Sequence, residues 1–215
     1  GAPLKMIRSF GAESLAQGDV TYGGRLRGLN IDVAEGPLDM LAGPSQTLIG
    51  VALDYGSLST YVELAGGILD FLVTPTGDIN TPLLEITDTL EAGNDYTLVA
   101  GSSPDGMIGV LGPDDHRSVA TEARIRAVGG INTGEILNIY LGKELPATMP
   151  PAYADGLVRN LAYGSVSGLF GKEPGEYYMM ITTRPELVGG GETYLVEPSL
   201  VQLNGGDNLT ILIFQ

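Results

Sequence analysis

The chain has no cysteine and no tryptophan, one histidine, and only 11 basic side chains against 26 acidic ones among its 215 residues. Without cysteine there can be no disulfide, no thiolate nucleophile and no thiolate metal site. One histidine excludes the multi-histidine metal centres. The scarcity of basic groups leaves a formal charge of −15. Such a surface repels a phosphate backbone, so no nucleic-acid partner is expected. Missing too is any run of roughly 18–20 apolar residues, the length a membrane-spanning helix requires. The longest candidate, Met40 to Leu53, is broken by Pro44, Ser45, Gln46 and Thr47.

No signal peptide is visible, and Gly1-Ala2-Pro3 reads as a terminus left by processing or by expression. What is present is ample apolar material, 43% of residues, and 32 glycines. The length allows one large or two small domains, each with enough apolar residues for a core. This composition suits a bacterial exterior, where packing must supply stability and calcium can be abundant. It suits a cytoplasm as well, and leans outward.

Internal repetition organises the chain. Leu29-Asn30-Ile31-Asp32-Val33 returns as Leu137-Asn138-Ile139-Tyr140-Leu141, and Tyr55-Gly56-Ser57-Leu58-Ser59 as Tyr163-Gly164-Ser165-Val166-Ser167, both at an offset of 108. Leu90 to Val99 parallels Leu203 to Leu212 at an offset of 113, which places five extra residues in the second copy near Val188-Gly189-Gly190-Gly191. Lys5-Met6-Ile7-Arg8 parallels Ala123-Arg124-Ile125-Arg126 at an offset near 118, which places about ten extra residues of the first copy in Asp19 to Gly28. A tandem duplication is therefore expected: repeat 1 over residues 1–113, a linker over 114–118, and repeat 2 over 119–215. Gly112-Pro113-Asp114-Asp115-His116-Arg117-Ser118 has the composition of a linker. Residues 1–113 carry 4 basic and 14 acidic groups and residues 114–215 carry 7 and 12, so a cation or basic partner is expected first at repeat 1.

The periodicity within each repeat is two. Ala123 to Val128, Leu29 to Val33 and Thr60 to Leu64 alternate, as half-buried strands do. Ile68 to Val73, Tyr177 to Ile181 and Leu209 to Ile213 are continuous apolar runs suited to central strands. Gly66-Gly67, Gly93-Asn94, Pro174-Gly175 and Gly205-Gly206 supply turns. No segment shows a capped helical stripe. About seven short strands per repeat predict an all-β protein of two tandem immunoglobulin-like antiparallel β-sandwich domains.

Residues able to do chemistry are few. His116 beside Asp114 and Asp115 has the types of a carboxylate-oriented base, yet its place at the seam reads as a solvated linker residue. Gly164-Ser165-Val166-Ser167-Gly168 fails as a nucleophile elbow, because Val166 holds the central place; its twin at Tyr55–Ser59 makes it a turn into a strand. Gly171-Lys172 lacks the preceding glycine of a phosphate loop. With 26 acids, paired carboxylates arise everywhere, so a glycosidase-like pair carries little information. No catalytic residue and no organic cofactor are assigned. Calcium takes six to eight oxygens from loops, and Asp105, Asp114, Asp115, and Asp207 with Asn204 and Asn208 are the candidate ligands, none with EF-hand spacing. Tyr177 and Tyr178, pointing to opposite faces of one strand, are the candidate sugar-stacking residues.

The two units together resemble the prokaryotic family known as domain of unknown function 4397. The resemblance rests on Arg124-Ile125-Arg126 for its Arg-Val-Arg strand, and on Asn30 to Val33 and Asn138 to Leu141 for its Val-Asp-Val-Tyr strand. It rests further on Tyr55–Ser59 and Tyr163–Ser167 for its Gly-Ser-Val-Ser turn, on Pro174 to Tyr177, and on Leu90 to Thr97 for its late strand. It implies tandem β-sandwich repeats in secreted or envelope-anchored proteins, and no established activity. The family's His-Ala-Ser-Pro-Asp-like loop is replaced here, by Ser9 to Glu13 in copy one and by Gly129 to Asn132 in copy two.

The resulting expectation is a non-enzymatic extracytoplasmic structural or interaction module, in the periplasm, at the cell surface or secreted, with a lipid anchor as one means of attachment. Its partner is a protein or polysaccharide of the envelope. A polysaccharide-binding module is the alternative, and a carboxylate-based hydrolase the third reading.

Overall fold

A computed structural model describes residues 4–8, 23–103, 106–131, 135–145, 156–185 and 192–214. The described residues contain sixteen strands and no helix. By contacts the chain divides into two compact units, one of Glu13–Asp115 and one of Gly1–Ala12 with His116–Gln215.

The unit Glu13–Asp115 holds β2 (Gly24–Asn30), β3 (Leu38–Ala42), β4 (Thr47–Leu53), β5 (Val62–Leu64), β6 (Gly67–Pro75), β7 (Leu84–Leu90), β8 (Asp95–Ser103) and β9 (Gly106–Asp114). They form two four-stranded sheets, ordered β4-β3-β6-β7 and β5-β2-β8-β9. Both sheets feed one core: Leu26, Tyr96 and Leu98 from the second meet Leu38, Met40, Phe71, Val73 and Leu90 from the first. Period-two alternation explains the sorting, since Leu26, Tyr96 and Leu98 face this core while Arg25, Arg27 and Thr97 face away. The run Ile68–Val73 does lie in an interior strand, but only its second half is covered: Phe71 and Val73 are buried whereas Ile68 is 75% exposed.

The other unit repeats this plan. Its strands are β1 (Leu4–Arg8), β10 (Ala123–Gly130), β11 (Glu135–Gly142), β12 (Gly156–Leu161), β13 (Phe170–Lys172), β14 (Gly175–Pro185), β15 (Thr193–Leu203) and β16 (Asn208–Phe214). The sheets are β12-β11-β14-β15 and β13-β10-β16-β1. In both units the first long strand runs parallel to the late one, with Arg25 opposite Asp95 and Arg124 opposite Asn208. The β16 edge is completed by β1, paired antiparallel with Leu4 opposite Ile213. This is the place β9 holds beside β8.

These registers revise two of the four sequence anchors. The Tyr-Gly-Ser turn is equivalent in both units, as are the late strands. The strand equivalent to β10 is β2, however, at an offset of 99 from Arg25 to Arg124, and Lys5–Arg8 is β1 of the other unit. Likewise β11 corresponds to Leu38–Ala42, because each pairs with the strand before the turn and with the long interior strand. Leu29-Asn30-Ile31 ends β2 and leaves it, so the match to Leu137-Asn138-Ile139 joins unlike places. No insertion is needed between Asp19 and Gly28; the offset instead rises from 99 to 108 between β11 and β12. The site expected for the later gain, Val188–Gly191, lies outside the described residues.

Asp114, the first residue of the expected linker, still belongs to a strand. Pro113 and Asp114 belong to β9, opposite Tyr96 and Asp95. Proline is tolerated because β9 is an edge strand and needs no outward N–H partner. Lettered A to H from β2 to β9, the sheets read C-B-E-F and D-A-G-H, unlike the A-B-E-D and C-F-G of an immunoglobulin constant domain. The tight turn at Gly43–Gln46, with φ of 72° at Gly43 and 50° at Gln46, keeps β3 and β4 together as a hairpin in one sheet.

Candidate functional site

A polar cluster lies on the outer face of β2, β8 and β9. Two arginines two residues apart share a face of β2, and the parallel register sets Asp95 and Thr97 beside them. Arg25 grips Asp95 with both ends of its fork, Nε to Oδ1 at 2.7 Å and Nη2 to Oδ2 at 2.5 Å. Paired donors of this kind form the strongest carboxylate contact a side chain offers. Arg27 donates from Nε to Thr97 Oγ1 at 3.0 Å, and its Nη2 lies 3.4 Å from Asp114 Oδ2. That same oxygen accepts hydrogen bonds from Thr97 Oγ1 at 2.6 Å and from the Tyr61 hydroxyl.

Tyr61 precedes β5 and lays its ring against both guanidinium groups, at 4.5 Å from Arg27 and 5.3 Å from Arg25. Burial first, and the Asp114 charge second, push the Tyr61 hydroxyl well above the ordinary phenol range. The ring therefore stays a neutral donor. The Asp114 side chain is 1% exposed and that of Arg27 10%.

A second centre lies just beyond β2. Asn30 and Asp32 are fully buried polar residues. Asn30 donates to the carbonyls of Leu53 and Gly36, at 2.8 and 3.2 Å, and accepts from Asp32 N at 2.7 Å. Asp32 accepts from the amides of Ala34 and Glu35 and from the Ser102 hydroxyl, turning the chain towards β3. In the other unit the same positions hold Gly129 and buried Ile131, so nothing similar forms.

The Tyr-Gly-Ser turn is built the same way twice. Gly56 and Gly164 have φ near 70°, the left-handed region that favours glycine. Each donates to the end of its unit's first long strand, Gly56 N to Asn30 O and Gly164 N to Gly129 O. Ser59 and Ser167 then accept from Gly28 N and Ala127 N, each at 2.8 Å. Both serines are occupied by backbone, which is why the elbow-like Gly164–Gly168 is a structural turn.

The expected ligand residues scatter. Asp114 is drawn into the arginine network, and Asp115 follows it just after β9. Asp105 lies outside the described residues. Asp207 closes the turn before β16, accepting from Asn204 N at 2.9 Å and Nδ2 at 3.2 Å. Among the described residues no group of three or more His, Cys, Asp and Glu side chains is placed to hold a metal ion. Tyr177 points into the core, 4% exposed, with its hydroxyl on Glu173 O and the Lys143 and Lys172 ammonium groups each 5.9 Å from its ring. Tyr178 faces the other way and is half-buried. None of the eight described tyrosines is exposed. His116, which follows β9 in the chain, is half-buried.

Sequence reasoning missed Arg25, Arg27, Tyr61, Asp95 and Thr97. The signal was available: Arg-x-Arg occurs at 25–27 and again at 124–126, and a polar residue followed two positions later by threonine occurs at 95–97 and 208–210.

No family model matches the chain, and no curated protein does. Among solved structures it has a likeness to a leucine-rich repeat protein from Bacteroides thetaiotaomicron, 11% identical with a TM-score of 0.24, over 91% of this chain and 26% of that one. The chain thus spans about a quarter of that protein's length, and a likeness at this level carries no argument on function.

Proposed function

We propose that this chain is a non-enzymatic extracytoplasmic module that holds a partner or spaces the parts of a surface assembly. The supporting observation is the mutual pairing within its arginine–carboxylate cluster. Asp95 and Asp114 are committed to Arg25, Arg27, Thr97 and Tyr61. Tyr61 is held neutral. A catalytic group needs room for a substrate; in this network each group is held by another. It speaks for stability in service of a surface, and against the carboxylate-based hydrolase.

The family reading gains from the revised equivalences. With β2 matched to β10, Arg25-Leu26-Arg27 takes the place of the Arg-Val-Arg strand, and Leu38-Asp39-Met40-Leu41 that of the Val-Asp-Val-Tyr strand. The loop after the first strand is then Ile31 to Pro37 in copy one, and not Ser9 to Glu13. On this reading each unit is a two-sheet sandwich of immunoglobulin-like build with its own connectivity, in a member of the domain of unknown function 4397 family, at the cell envelope or secreted.

Retention on a panel of soluble and insoluble polysaccharides, run with calcium and with chelator, tests the proposal. The expected result is no retention in either condition. Retention lost on Tyr178→Ala would instead establish the sugar-binding alternative, and loss in chelator would add a calcium site.

A further inference from the structure

Among the described residues the four sheets end in eight edge strands, and seven of these are blunted against further pairing. β5 and β13 are three residues long. β4 and β12 carry register shifts and a positive φ, at Ala52 and Asn160. Charged residues interrupt β1 (Lys5, Arg8), β7 (Glu85, Asp88) and β15 (Glu197, next to Pro198). β9 is the exception. Gly106-Met107-Ile108-Gly109-Val110-Leu111-Gly112 has no charge and no proline, and it pairs with β8 without a register shift. Every second residue of an edge strand turns its N–H and C=O away from the sheet, so β9 presents an open ladder between Met107 and Gly112. Val110, near its middle, is 37% exposed.

Charge selects the strand that would fill this edge. The unit Glu13–Asp115 holds 16 acidic side chains and two basic ones, a net of −14, which leaves −1 of the total −15 to the other unit. Both bases are already engaged, Arg25 with Asp95 and Arg27 with Thr97 and Asp114. The acids reach the edge itself. β7 lies against β9, since a Cβ on Gly109 would collide with Leu84 Cδ2, and the same strand carries exposed Glu85 and Asp88. A second copy of this unit carries the same −14 and is repelled, whereas a strand bearing lysine or arginine is drawn in.

We propose that the open edge of β9 is a strand-addition site for an extended basic segment of a partner protein. The segment's main chain continues the β5-β2-β8-β9 sheet, and its lysine or arginine side chains meet the acidic surface. This rests on the reading of the chain as a module that holds a partner, and names that partner's chemistry. The two fail separately: retention on a polysaccharide would overturn the module reading without touching β9, and a β9 that takes no peptide leaves that reading standing.

The probes are a short peptide alternating valine with lysine, its valine–glutamate counterpart, and the lysine peptide with its backbone N-methylated so that it cannot donate along a ladder. Fluorescence anisotropy follows binding to the full chain, and hydrogen–deuterium exchange places the contact. The lysine peptide should bind, protect the amides of Met107–Gly112, and weaken as added salt screens the charges. The glutamate peptide should bind at least about tenfold more weakly, and the methylated one should not bind. Val110→Lys, at an exposed position, should abolish binding while the melting curve stays that of the unsubstituted chain. Glu85→Gln with Asp88→Asn should weaken binding and leave the edge intact. The proposal is overturned if the lysine peptide does not bind, if it binds without protecting β9, or if the glutamate or methylated peptide binds equally well. It is equally overturned if β9 gains protection with rising protein concentration alone, which would make a second copy the occupant.

Discussion

The two repeats share a sheet plan and differ in what they bury. Each uses an arginine on its first long strand to reach a threonine on the late strand, Arg27 to Thr97 and Arg126 to Thr210. In the first repeat that pair extends into a network with Asp114, Tyr61, Arg25 and Asp95, and Asn30 and Asp32 lie buried close by in sequence. In the second, Asn208 replaces Asp95, Arg124 turns to Glu122 at 3.2 Å, and Gly129 and Ile131 stand where Asn30 and Asp32 do. One fold thus tolerates either a carboxylate or an amide beside its first arginine, and either a buried polar pair or glycine and isoleucine where the strand ends. The first repeat spends two of the four basic side chains of residues 1–113 on internal pairing.

The largest way to break the symmetry is Asp114→Ala. Removing one partner of a buried ion pair costs about 3–5 kcal/mol, because the other charge stays buried. Calorimetry should show the transition of the first repeat falling while that of the second holds. The shared turn sharpens the comparison from the other side. Gly56→Ala and Gly164→Ala both force a side chain into the left-handed region, at about 1–2 kcal/mol each. Denaturant melts should find the two losses alike, one in each repeat. Thr210→Val removes only the neutral acceptor of Arg126, and about 1 kcal/mol should be lost. The same melts read this against Thr97→Val, which disturbs Asp114 as well and should cost more.

The smallest effect appears only in alkali. Burial, then the hydrogen bond to Glu192, pushes the Tyr140 hydroxyl up to about 12. A folded-state pKa above the unfolded value of about 10 favours folding fully below pH 10, and that contribution is lost as pH rises from 10 to 12. Ultraviolet titration of tyrosinate alongside melts should show this loss, and Tyr140→Phe should lessen it, leaving the share of Tyr61.

The parts of the fold legible in the sequence were those with local causes. Tyr-Gly-Ser-x-Ser was found because a left-handed glycine and a serine that bonds backbone leave the same letters twice. The late turns at Gly93 and Gly206, with φ of 80° and 88°, were found for the same reason. Strand pairing has no such local mark. Nothing in Leu4–Arg8 announces a partner 209 positions away from Leu4, at Ile213. The three-residue identity of Leu29–Ile31 with Leu137–Ile139 outweighed the true match of Leu38–Ala42, which keeps polarity pattern but only one letter, Leu38 for Leu137. The candidate site was half-visible: Asp114 was singled out, but as a loop ligand, because Gly112-Pro113 reads as a linker until β9 is known to be an edge.

Hydrogen–deuterium exchange of the full chain against its Asp114→Ala variant tests most directly the claim that these are two self-contained copies of one plan, the first locked by its arginine–carboxylate network. Exchange should rise in β2, β5, β8 and β9 and stay unchanged in β10 to β16. An equal rise in both repeats, or none in either, would contradict it.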